Sequence, residues 1–235
     1  MTLLTTEIHN HNNPSCALIV FAADRRITRG TEPDSSRQKI FPIPSMNAGI
    51  GYFGFAEVPN ANGVIPMEKW LTDFLSRAPA ETLHAFAETL AVELNLSIPK
   101  HIRQRYISGF HVAGFNNNGH PEFWYVRNVA DDRQTILSMY EAREDFQSRD
   151  VSTLKPGEFQ IYRNGDIRAH VVAWEAVDSS FGLLLGAPNF KPPSTPDEYA
   201  EWVKFKMEVI AMFYERYCSF SIIGNPVDAF AIVCA

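Results

Sequence analysis

The sequence predicts an α+β layered domain. Strand-like runs fill residues 3 to 57 and recur between residues 106 and 172. Two amphipathic helical segments separate those groups, and one long, well-capped helix precedes a closing strand. Segregated runs of this kind differ from the regular strand–helix alternation of a parallel sheet. The 235 residues, 46% apolar and 20% charged, suit a single domain spanning 1–235.

The elements follow in order. Leu3 to Ile8 and Cys16 to Ala23 read as two strands joined by the turn-forming stretch His9 to Ser15. The second is nearly all apolar, as a strand covered on both faces is. A turn centred on Asn13 pairs residues whose numbers add to about 26, setting Thr2 opposite Asp24 and on the same face. Asp24 to Ser36 reads as a polar loop. Gln38 to Pro44 reads as a short edge strand with prolines, and Met46 to Glu57 as a glycine-dense strand. Asn60 to Gly63 is a loop. Met67 to Arg77 carries Trp70, Leu71, Phe74 and Leu75 on one helical face, and Ala80 to Leu96 carries Leu83, Phe86, Leu90 and Leu94.

Tyr106 to Phe115 and Glu122 to Val126 flank a turn over Asn116 to Pro121. The segment 131–153 is polar and shows no periodicity. Asn164-Gly165 predicts a second hairpin, between Glu158 to Tyr162 and Ile167 to Val172. Phe181 to Gly186 reads as a further strand. Thr195-Pro196-Asp197-Glu198 has the N-cap Thr, first-position Pro and third-position Glu of a helix start, and that helix runs to about Tyr217. A turn and a buried strand over Ile222 to Val233 close the chain.

Net charge is −6 with no long run of one sign, which argues against nucleic acid or an anionic membrane as partner. No apolar stretch has transmembrane length, and no signal peptide is evident. Cys16, Cys218 and Cys234 lack CxxC spacing and read as reduced core residues, an expectation of cytoplasmic location. No cofactor or metal is expected. His9 and His11 share a spacing that could hold a metal, but no further ligand lies nearby, so they read as an exposed turn pair. Lys100, His101, Arg103 and Arg105 read as a solvated connection.

Thr2 has special chemistry available. Initiator methionine is usually removed before a small residue. Removal leaves an α-amine with a pKa of about 8, which can act as base for the Thr2 hydroxyl. That is the N-terminal-amine form of an activated nucleophile.

Ala22-Ala23-Asp24-Arg25-Arg26, Gly30, Lys39-Ile40, Gly51-Tyr52-Phe53-Gly54-Phe55-Ala56-Glu57 and Gly224-Asn225-Pro226-Val227-Asp228 together resemble proteasome β-type subunits. The likeness is greater to their small bacterial relatives: the peptidase subunit of the ATP-dependent two-component protease and the ancestral proteasome-related family. It spans both ends of the chain and is thin between about residues 60 and 215. It implies a four-layer αββα sandwich and an N-terminal nucleophile (Ntn) hydrolase acting on peptide or protein substrates. It also implies a homo-oligomeric ring that an ATPase unfoldase could feed.

Carried over by position, Thr2 is the nucleophile, and Asp24 orients the site, paired with Lys39. Lys39 lowers the pKa of the Thr2 hydroxyl. Gly54 offers its backbone N–H to the oxyanion. Arg26 takes the place of a structural arginine. Asp24 to Lys39 and Lys39 to Gly54 are each 15 residues apart, close to the family's spacing. The Thr2 to Asp24 hairpin is about six residues longer than in typical members, an even number that keeps the same facing. Where the family has an acidic residue and a serine before the closing strand, Ser219 and Ser221 supply hydroxyls but no carboxylate lies there. Ser221 is counted in the site; the nearest carboxylate is Glu215. Thr5-Thr6 also resembles a mature start, but Leu4 precedes it where the family cuts after Gly. The alternatives to a threonine peptidase are an inactive proteasome-like scaffold or assembly protein, and a non-proteolytic amidase of the same superfamily.

Overall fold

The computed structural model describes residues 2–10, 17–29, 32–43, 45–78, 80–129, 142–152, 154–155, 157–166, 168–219 and 221–234. The strands are β1 Leu3–Asn10, β2 Leu18–Asp24, β3 Arg26–Arg29, β4 Glu32–Ser36, β5 Ile40–Ile43, β6 Ala48–Phe53, β7 Glu57–Asn60 and β8 Gly63–Pro66. Helices α1 Met67–Arg77, α2 Leu83–Ser97 and α3 Lys100–Arg103 follow. Then come β9 Gly109–Phe115, β10 Pro121–Val129, β11 Ala142–Asp150 and β12 Glu158–Gly165. A π-helical turn, Arg168–Ala173, leads into α4 Trp174–Leu184, then α5 Pro196–Tyr217 and β13 Val227–Val233. The result is mixed α+β with antiparallel sheets. Two compact units form, Met1–Phe41 with Leu154–Ala235, and Pro42–Thr153.

The first unit is built on the sheet β12-β1-β2-β13. β2 is buried along its whole length, as its continuous apolar run requires. The β1–β2 pairing runs Leu4↔Ala23 to His9↔Leu18, so partners add to 27 rather than 26. One step further along, Asp24 lies level with Leu3, not Thr2. Both faces of β1 are buried, so the apolar pattern cannot decide between two registers one residue apart. Leu3, Val20 and Ala22 share one face with Val203, Met207 and Ile210 of α5, forming a core that also holds Trp174 and Tyr214.

Helix α5 starts as its sequence predicts. The Thr195 side chain accepts from the Glu198 N–H at 3.2 Å, and Glu198 reaches back to the Thr195 N–H at 3.2 Å. The Ser194 hydroxyl and N–H, with Lys191, hold the exposed Glu198 carboxyl down to about 2. Thr195→Ala is expected to lower unfolding free energy by about 0.5–2 kcal/mol, read as an earlier denaturant midpoint with unchanged slope.

Four expectations change in this unit. Residues 24–36 are not a plain loop: Arg26–Arg29 pairs with Glu32–Ser36. Asn164-Gly165 does not turn a hairpin; β12 ends there and the chain enters the π-helical turn. Ala169, Ala173, Trp174 and Val177 all pack on the core at helical spacing, so a helical stripe prevails over the local turn signal. Phe181 to Leu184 belongs to α4 rather than a strand, and its apolar end is exposed at Leu183, Leu184 and the following Leu185. His9 lies in β1, not in a turn, with its ring against Phe159 and Tyr199. His11 and Cys16 lie outside the described residues, and Cys218 and Cys234 are half-buried.

The second unit carries the antiparallel strands β11-β10-β9-β6. Helix α1 occupies its expected span, and Trp70, Leu71 and Phe74 are buried. Helix α2 is capped by the Thr82 side chain, which accepts from the Ala85 N–H at 3.1 Å. β11 accounts for part of the polar stretch that showed no periodicity. It is an edge strand whose one fully buried residue is Phe146, so its sequence reads as polar. Within the basic cluster, Lys100 pairs with Glu144 at 2.6 Å. Among the described residues, no helix is long and apolar enough to cross a membrane.

Candidate functional site

Of the sequence-predicted residues, Thr2, Asp24 and Lys39 meet at the start of β1, while Ser221 is linked to that corner only through its carbonyl and Arg26. Lys39 and Asp24 are both fully buried, and Lys39 Nζ lies 3.0 Å from Asp24 Oδ1. Lys39 Nζ also donates to the Arg26 carbonyl at 2.7 Å. The Leu3 N–H donates to the same Asp24 oxygen at 2.8 Å. Thr2 is buried, and its carbonyl accepts from the Asp166 N–H at 3.1 Å. The Thr2–Leu3 peptide group is therefore gripped at both ends, its N–H by the Asp24 carboxylate and its C=O by the Asp166 backbone.

The electrostatics of the pair follow from burial. Loss of water pushes the Asp24 carboxyl above the usual carboxylate range, opposed by the Lys39 charge and by the backbone N–H groups of Leu3 and Gly224. Burial likewise pushes the Lys39 ammonium below the usual lysine range, opposed by Asp24, with Arg26 adding to the lowering. A lysine that holds its proton less tightly, fixed by a carboxylate and a carbonyl, can stabilise negative charge on a neighbouring hydroxyl.

Arg26 ties this corner to the C-terminal segment. Its guanidinium bonds Glu215 Oε1 at 2.6 Å and the Ser221 carbonyl at 3.4 Å. A Cβ on Gly224 would stand 2.3 Å from that guanidinium, so glycine is needed for the close approach. Glu215 also accepts from the Asn225 N–H at 2.9 Å. The Ser221 hydroxyl is donated to the Ile223 carbonyl. Gly54 belongs to the second unit, where it is exposed with φ +93°. Ser108 buttresses the turn there, its hydroxyl donating to the Phe53 carbonyl at 2.7 Å and accepting from the Phe55 N–H at 3.2 Å.

Two site residues escape sequence reasoning. Gly165 has φ +128°, and a Cβ on it would stand 1.5 Å from the Thr2 carbonyl oxygen. Asp166 follows it. The only signal was the Asn-Gly pair, which reads as a hairpin. Among the described residues, no group of three or more His, Cys, Asp or Glu side chains could hold a metal ion. No protein-family model and no curated protein matches this chain.

Proposed function

We propose that the chain is an Ntn hydrolase of the proteasome β type, with a four-layer αββα sandwich, that cleaves peptide bonds with Thr2 once Met1 is removed. The observation that carries the reading is the buried chain Lys39–Asp24–Leu3 N–H, which ends one residue from the Thr2 side chain. Nothing in the packing of an ordinary core calls for it, because a buried ion pair is weak evidence of stability and costs desolvation.

In this reading the Thr2 hydroxyl attacks the scissile carbonyl carbon as its proton passes to the α-amine. The tetrahedral intermediate collapses, the C–N bond breaks, and the departing amine takes that proton. Water then attacks the Thr2 ester, giving its proton to the α-amine. The ester C–O bond breaks and the hydroxyl regains the proton. The Lys39 cation lowers the cost of charge on the Thr2 oxygen, and Asp24 fixes Lys39. Exposed apolar residues on α5, including Phe205, Phe213 and Tyr217, support assembly with further copies.

The test is an intact-mass measurement followed by labelling. The mature chain is expected to lack Met1. A peptidyl epoxyketone, which needs both the amine and the hydroxyl of an N-terminal threonine, is expected to add to the parent and not to Thr2→Ala. A retained Met1, or equal labelling of both, sinks the peptidase reading. A processed chain that does not label supports the inactive scaffold.

A further inference from the structure

We propose that Asp166 and Tyr214 form a positioning relay that holds Thr2 in its attacking orientation. The proposal rests on Thr2 as nucleophile.

The β1–β12 ladder ends at Leu3↔Gly165. The bond from the Asp166 N–H to the Thr2 carbonyl extends it one step, to the residue that becomes the chain terminus when Met1 leaves. Terminal residues fray unless tied down. Beyond the packing around the buried residue, Thr2 is held through the peptide group it shares with Leu3. Asp24 grips the N–H of that group, and Asp166 grips its C=O. With both ends held, the freedom left to Thr2 lies in its side-chain torsion and its amine.

Asp166 is itself fixed by its side chain. Its Oδ1 accepts from the Arg168 N–H at 3.0 Å, the Ala169 N–H at 3.1 Å and the Tyr214 hydroxyl at 2.9 Å. The first two begin the π-helical turn, a feature often found at functional sites. The third reaches from α5, where Tyr214 is buried in the core with Leu3 and Val227. Burial and the Asp166 carboxylate push the Tyr214 phenol well above its ordinary range, so it stays a donor throughout the working pH range. The relay thus runs from the rigid helix α5, through one carboxylate, to the backbone of Thr2. Neither side chain touches a reacting atom; both act by holding the Thr2 carbonyl. Misplacing a reacting group by about 1 Å costs on the order of 100-fold in rate.

Tyr214→Phe removes the hydroxyl and keeps the ring in the core. With the full chain and the epoxyketone, it is expected to lower the maximal labelling rate about 10- to 100-fold. The half-saturating probe concentration and the melting temperature should stay near those of the parent. Asp166→Ala is expected to do at least as much. Asp166→Asn, which keeps an acceptor oxygen, should recover part of the rate. A Tyr214→Phe chain that labels at the parent rate overturns the relay. So does a change confined to probe affinity. Amide exchange of Asp166 separates the relay from the nucleophile reading. If the parent does not label at all, that reading fails. Loss of Asp166 protection in Tyr214→Phe then still supports the holding device, and unchanged protection overturns it.

Discussion

Lys39→Ala is expected to destabilise the protein by about 3–5 kcal/mol at neutral pH, the cost of leaving one partner of a buried ion pair uncompensated. Lys39 and Asp24 are fully buried, and Asp24 Oδ2 has no hydrogen-bond partner of its own among the described residues. Once the ammonium is gone, the backbone N–H groups of Leu3 and Gly224 are left to offset the Asp24 charge. The loss should depend on pH. Burial already raises the Asp24 pKa, and removing Lys39 takes away the largest opposing influence. A carboxyl whose folded pKa is raised favours folding below its unfolded value of about 3.9 and disfavours it as pH rises through the folded value. The gap between variant and parent should therefore narrow as pH falls from 7 towards 4. Urea unfolding at several pH values reads this directly. A gap below about 1 kcal/mol, in the range of an exposed pair, would remove the case for a buried pair. A gap that does not change with pH would show that Asp24 takes up no proton. Asp24→Asn combined with Lys39→Met should cost less than Lys39→Ala, because no charge is left unpaired. Both variants should lose epoxyketone labelling, which separates stability from chemistry.

The parts of the fold that were legible are those decided by local chemistry. Thr195, Pro196 and Glu198 fix the start of α5 within four residues, and the spacing of Trp70, Leu71 and Phe74 fixes α1. What was illegible depended on distant partners. The β1–β2 register slipped by one because each face of β1 meets something apolar. Asn164-Gly165 carries a hairpin signal, but its neighbour is β1, at the far end of the chain. β11 looked unstructured because an edge strand with one covered face keeps most of its polar residues. The same division holds for the site. Asp24 and Lys39 stood out through motif and spacing, and they meet. Asp166 was hidden because its role comes from a backbone N–H, which no residue type announces. Glu215, considered only as a carboxylate near the closing strand, is taken up by Arg26 and Asn225.

Gly165→Ala should do the most damage to Thr2 for the least chemical change. Its backbone sits at φ +128°, which side chains rarely adopt, at a cost of about 1–3 kcal/mol. The added Cβ would also stand 1.5 Å from the Thr2 carbonyl oxygen and 2.6 Å from its carbon. Both are backbone atoms that cannot swing aside as a side-chain tip does. Either Thr2 leaves its place or Gly165 and Asp166 do, and in both cases the bond from the Asp166 N–H to Thr2 breaks. Epoxyketone labelling is expected to fall at least about 100-fold, the scale of a 1 Å misplacement. Gly63 supplies the control. It has φ +129°, nearly the same backbone, but nothing lies within 4 Å of its would-be Cβ. Gly63→Ala should carry the backbone cost alone and label at the parent rate. The difference between the two variants isolates the collision with Thr2 from the strain of a left-handed alanine. Equal labelling by the two would mean that the placement of Thr2 does not depend on the segment behind it, and the double grip on the Thr2–Leu3 peptide would lose its functional meaning.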